Sequence, residues 1–95
     1  MIVTVTLNAA VDRTLTVPNF QLGHRHRSSG SLTSAGGKGV NVARALKGLE
    51  APVIATGLAG GRAGDRIIEG LTGEAILNDF VRISDESRTS MAVVD

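Results

Sequence analysis

Residues 2–7, I-V-T-V-T-L, combine β-branched residues with Leu and stop at Asn8, the pattern of a buried edge-to-centre strand. Residues 14–17 alternate polar and apolar until Pro18 ends them, and residues 24–33 are polar and extended in character. From Val40 the period becomes that of a helix, with Val42, Ala45, Leu46 and Leu49 along one face and Arg44 and Lys47 away from it. Gly48 weakens its last turn and Pro52 stops it. Residues 52–58, P-V-I-A-T-G-L, read as a buried strand, and Gly57, Gly60, Gly61 and Gly64 as the turn that follows. A second helix is expected to start at Asp65, an acidic residue suited to a helix N-terminus, with Ile67, Ile68 and Leu71 as its apolar stripe. Short strands over 80–83 and 91–94 flank the polar turn S-D-E-S-R-T. Strand, helix, strand, helix predicts an α/β fold with parallel central strands and right-handed crossovers, and no repeat or linker divides it.

Composition narrows the class without naming a function. Ninety-five residues with 42% hydrophobic content allow one small domain, and two Phe without Trp or Tyr make its core aliphatic. The absence of cysteine removes disulfides and thiolate zinc sites and agrees with a reducing, cytoplasmic setting. A net charge of +1, with both signs interspersed, supplies no general field for nucleic acid or an anionic membrane. The N-terminus lacks a basic region followed by a long apolar run, so it is read as neither signal peptide nor anchor.

The chemistry concentrates between Ser34 and Ala43, S-A-G-G-K-G-V-N-V-A, where a glycine turn opens directly into the first helix. Such a turn lets backbone N–H groups approach a polar ligand, and the helix presents its positive dipole end to the same place. An anion or a polyol suits it. A P-loop would need glycine where Leu32 stands and Ser or Thr where Gly39 stands. A dinucleotide fingerprint would place its third small residue at Val42.

Gly36, Gly37, Gly39, Asn41, Ala43 and the later Gly60 fall at the spacing of the first signature of the PfkB (ribokinase-like) family of carbohydrate kinases, which the chain resembles. T-L-N-A-A-V-D-R-T, residues 6–14, resembles the family's phosphosugar branch. The likeness runs over residues 1–95 and departs at Glu50, where Gly or Ser is expected, and at Ala9, where this branch has proline. It implies the N-terminal part of a ribokinase-like three-layer α/β/α fold with a small β lid built from residues 14–17 and 24–33. The implied activity is ATP-dependent phosphorylation of a ketohexose phosphate such as fructose 1-phosphate. The family's ATP site, its Mg²⁺, its G-A-G-D anion hole and its catalytic aspartate would lie in a C-terminal half. These residues are therefore expected to form a substrate-binding and lid portion that binds no ATP or Mg²⁺, lacks a catalytic base and is inactive alone.

The resemblance assigns roles to particular residues. Asp12, following the first strand at the carboxyl end where open α/β sheets hold ligands, would accept hydrogen bonds from sugar hydroxyls. Read from composition alone, it would be an Asx-turn residue. The amides of Gly36, Gly37 and Gly39, with the side chain of Asn41, would line the sugar, although the same residues would also make a tight turn and a helix start. Lys38 and Arg88, with Arg27 in the lid, are implied as holders of the substrate's phosphate, a task suited to a point charge and a guanidinium fork. G-R-A-G-D, residues 61–65, imitates the anion-hole motif at the wrong place, and Asp65 is read as a helix cap. His24 and His26 lack a third ligand and are read as solvated strand positions. The expected partner is a small sugar phosphate, with homodimerisation through the lid and no nucleic acid or membrane. Two alternatives remain. Gly57 to Gly60, G-L-A-G, superficially matches the GXXG loop of a KH domain, and a noncatalytic dimerisation unit would need no cleft.

Overall fold

In the computed structural model, which describes residues 1–95, two small sheets share one apolar core. Strand β1 (Ile2–Thr6), strand β4 (Val53–Gly60) and strand β5 (Asn78–Ile83) form a parallel sheet in the order β1-β4-β5. Strand β2 (Ala10–Thr16) is central in the second sheet, antiparallel to β3 (Gly30–Gly36) and parallel to β6 (Arg88–Val94). Helix α1 (Lys38–Gly48) connects β3 to β4, and α2 (Gly61–Gly73) connects β4 to β5. The α/β class is as expected, and the second sheet takes in residues 14–16 and 30–33 of the segments expected in the lid.

Both helices lie on one face of the parallel sheet. Val40 and Ala43 of α1, Ile67 and Leu71 of α2, and Val53 and Ala55 of β4 belong to a single buried cluster. Val11 and Ala35 join it from the second sheet, and Ala9 from the residue just before β2. Val40, Ile67 and Leu71, fully buried there, each contribute about 1.5–3 kcal/mol relative to exposure.

Several elements depart from the pattern read along the chain. In β1, an edge strand, Thr4 and Thr6 face the helices while Val3 and Val5 are exposed, so the strand is buried on one face only. The buried stripe of α1 is Val40 and Ala43, with Leu46 half-buried beside it; Val42, Ala45 and Leu49 are exposed. The helix sits so close to β1 that a Cβ on Gly39 would run into the Thr6 hydroxyl, so only small side chains fit on the contacting face. Helix α2 starts at Gly61 with Gly60 as its N-cap. Gly57 and Gly60, read as part of a turn, instead lie inside β4. A KH-type clamp therefore lacks its loop. Residues 24–29 form no strand, so only the end of the expected extended segment enters the lid sheet. His26 stacks on Phe20 and accepts a hydrogen bond from the Gln21 N–H instead of standing free in a solvated strand. No helix is long and apolar enough to cross a membrane.

Candidate functional site

A cleft of about 360 Å³ opens where β1 ends, α1 begins and β6 enters. Its floor is Val5, Thr6, Leu7 and Asn8; Gly37, Lys38 and Gly39 form one wall, and Arg88 stands opposite.

The glycine wall exists because larger residues would not fit. Gly37 is the N-cap of α1 at φ 121°, a backbone conformation that favours glycine, and a Cβ there would press on the Thr6 methyl. No side chain caps α1, so the first amides of the helix and its positive dipole end open onto the cleft. Lys38, exposed at the first helical position, makes neither an ion pair nor a hydrogen bond. The Arg88 guanidinium is steadied by Asn8: Nε donates to Asn8 Oδ1 at 3.1 Å and Nη2 to the Asn8 carbonyl at 3.5 Å. A guanidinium has five donors, so most of its N–H groups remain available to an anion.

A second polar group lies around Gly36, the residue that precedes the glycine wall. The Asp12 carboxylate lies against the Gly36 α-carbon and leaves no room for a side chain there. Asp12 sits in the middle of β2, paired with Ser34 of β3 and Ser90 of β6, and not in a loop after β1 as its sequence position suggested. The second sheet begins four residues earlier than the pattern of residues 14–17 indicated. Asn41 is in the first turn of α1, and its Oδ1 accepts from Arg44 Nη1 at 3.0 Å, which leaves the amide N–H₂ free to donate.

Arg44 and Asn8 are the residues that reading along the chain missed. Expected to point away into solvent, Arg44 instead donates to the Ala35 carbonyl at 2.8 Å and to both carboxylate oxygens of Glu74, at 2.5 and 2.9 Å. It thereby ties α1 to the end of β3 and to the end of α2. The Glu74 hydrogen bond, against the opposing effect of burial, raises its pKa above the ordinary value, and the charges of Glu74 and Asp12 add to this. The only local signal was its spacing of three from Asn41, since Glu74 is thirty residues away.

Of the residues singled out in the sequence, Gly37, Lys38, Gly39 and Arg88 line the cleft. Asp12, Gly36 and Asn41 do not line it: Asp12 lies against Gly36, the residue before the glycine wall, and Asn41 is held by Arg44. Arg27 is exposed in the irregular segment before β3 and does not line the cleft. Asp65 is inside α2 as its fifth residue, paired with Arg82, and caps nothing. No three His, Cys, Asp or Glu side chains come together in a way that could hold a metal ion.

The pattern of the pfkB family carbohydrate kinases matches residues 3–95. The chain is 39% identical over 95 residues to a 1-phosphofructokinase of Haloferax volcanii, covering 99% of this chain and 31% of that protein. Among solved structures, a possible 1-phosphofructokinase of Thermotoga maritima superposes with a TM-score of 0.88 at 38% identity, over 100% of this chain and 31% of the other. Phosphofructokinase-2 of Escherichia coli in complex with fructose-6-phosphate superposes with a TM-score of 0.90 at 29% identity, over 97% of this chain and 30% of the other. The chain thus spans about a third of the length of the relatives it matches.

Proposed function

Because the chain belongs to the pfkB family of carbohydrate kinases, we propose that the cleft between α1 and β6 binds the phosphate of a ketohexose phosphate, with Asp12 and Asn41 taking the sugar hydroxyls. The observation that carries this is the convergence of the uncapped α1 N-terminus, Lys38 and Arg88 on one cleft. Three sources of positive potential facing a single concave space suit a phosphate better than a neutral sugar, while Asp12 and the free Asn41 amide offer the acceptor and donor that hydroxyls require. Glycine at 36 leaves room for the Asp12 carboxylate, and glycine at 37 and 39 lets the start of α1 pass close to Thr6 on the cleft floor.

In the intact enzyme this portion would hold the acceptor while the γ-phosphoryl group of ATP is transferred to a sugar hydroxyl. The contribution of these residues is then orientation of the acceptor and neutralisation of its charge. A second copy pairing through the lid sheet belongs to the same reading.

Calorimetric titration of the chain with fructose 1-phosphate and with fructose tests it. The phosphorylated sugar should bind more tightly. Arg88→Ala should weaken it by about 10- to 100-fold, the scale of a lost hydrogen bond to a charged group, and leave fructose unaffected. Residues 1–95 alone should show no ATP-dependent phosphorylation. Equal affinities for the two sugars, or an Arg88→Ala variant indistinguishable from the parent, would rule out a phosphate site in this cleft.

A further inference from the structure

The G-G-R-A-G-D stretch that opens α2 looks like an anion hole, and the fold supplies it with an anion from its own chain. Glu86, in the turn between β5 and β6, accepts a hydrogen bond from the Ala63 N–H at 2.9 Å through Oε1. Its Oε2 occupies the place where a Cβ of Gly61 would be. Gly61 has φ 65°, so the bare α-carbon is required for both its backbone conformation and this contact. The neighbouring Ser87 makes a reciprocal pair with Gly60: its N–H donates to the Gly60 carbonyl at 2.9 Å, and its Oγ accepts from the Gly60 N–H at 3.0 Å. Gly60 must also be bare, because the carbonyls of Ile83 and Asp85 crowd its α-carbon. The turn is thus anchored to the first residues of α2 by three hydrogen bonds and a carboxylate set on the positive end of the helix dipole.

The next residue is Arg88. It begins β6, pairs with Ala10 of β2, and extends its guanidinium over Asn8 into the cleft. The backbone that carries this side chain is therefore fixed on one side by the β2 ladder and on the other by the α2 N-terminus.

We propose that Glu86 and Ser87 are positioning residues for Arg88: by docking on the N-terminal turn of α2, they set where the guanidinium stands in the cleft. Their value for phosphate recognition rests on the reading of that cleft given above. Neither side chain touches the ligand. Each acts through the backbone that leads into β6, so loss of the docking lets Arg88 swing away from Asn8 while the glycine wall and Lys38 keep their places.

The test uses nuclear magnetic resonance of the Arg88 Nε–H group together with the two-sugar titration. In the unaltered protein this N–H, donated to Asn8 Oδ1, should give a distinct signal in slow exchange with water. In Glu86→Ala and in Ser87→Ala the signal should move to the position of a solvated arginine and exchange faster. The preference for fructose 1-phosphate over fructose should fall by about ten-fold in Glu86→Ala, with fructose binding unchanged. Glu86→Gln retains an acceptor for the Ala63 N–H and should restore both the signal and the preference, which general destabilisation would not do. Should Glu86→Ala fail to fold, Ser87→Ala decides, since it removes only one half-buried hydroxyl. An unmoved Arg88 signal in every variant that folds, or failure of Glu86→Gln to restore a signal lost in Glu86→Ala, overturns the inference. If Arg88→Ala itself leaves fructose 1-phosphate binding unchanged, the cleft reading falls, and the Nε–H signal still decides the positioning role separately.

Discussion

Glu50 and Ala75 take left-handed backbone angles, φ 60° and 59°, one residue beyond the C-caps Leu49 and Glu74. Both helices end in the same bonding pattern. The N–H of Ala51 reaches back to Leu46 and that of Glu50 to Lys47; the N–H of Ile76 reaches Leu71 and that of Ala75 reaches Thr72. These are the paired bonds of a Schellman motif, whose left-handed position favours glycine because any Cβ there crowds the following carbonyl. Glu50 is where the family signature expects a small residue, and the backbone angle gives the reason. Glu50→Gly and Ala75→Gly should each raise stability by about 0.5 kcal/mol, the strain relieved less the extra unfolded-state freedom of glycine. Urea unfolding midpoints measure this. A lower midpoint for Glu50→Gly would mean that the long side chain contributes more than its strained backbone costs.

At the scale of elements, the contact between α1 and α2 runs through Arg44 and Glu74, and it makes stability depend on pH. The Glu74 pKa is lowered from 4.5, chiefly by the hydrogen bond from Arg44, with the charges of Arg44 and Lys47 adding to it and burial opposing it. A depressed carboxylate stabilises the folded state fully above its unfolded pKa and loses that contribution as pH falls through the lower folded value. Both side chains are about a third exposed, so screening by solvent limits the contribution to about 0.5–1 kcal/mol. Glu74→Gln should be less stable than the parent by that amount at pH 7, and the gap should close as pH falls below 4.5 through the lowered folded-state value. A gap independent of pH would assign the effect to packing. Elements whose partners are close in sequence were legible from it: the helix and strand periods gave the order of the α/β core, and the glycine run gave the α1 N-terminus. The start of α2 was not, because Glu86, its capping group, is 23 residues from Ala63. The buried face of α1 was not legible either. Val42 and Leu49 carry more apolar surface than Ala43, yet the closeness of α1 to β1 at Gly39 selects the smaller side chain. Asp12 lies against Gly36 of the glycine turn, but its place within β2 was not legible, since four residues of β2 precede Thr14 without the alternation that marks a half-buried strand.

The molecule as a whole has two apolar surfaces that its own residues leave uncovered, and they differ in kind. On the parallel sheet, the face opposite the helices shows Val3, Val5 and Val81, all more than half exposed. On the lid sheet, Met91 and Val93 are about half exposed on a strand whose outer edge has no partner in the order β3-β2-β6. An unpaired edge beside apolar side chains offers directional backbone hydrogen bonds as well as area, so it favours one defined pairing, whereas a bare sheet face favours association without fixed register. A second copy joined through the lid should therefore appear as a discrete dimer in sedimentation equilibrium. Met91→Lys with Val93→Lys should convert it to monomer, because two desolvated ammonium groups would face their copies across the junction. Val3→Thr with Val81→Thr should leave the dimer intact and reduce only the larger, ill-defined species that accumulate at high concentration. The reverse result, with the lid changes silent and the sheet-face changes dissolving the dimer, would place the junction on the parallel sheet and leave the lid free.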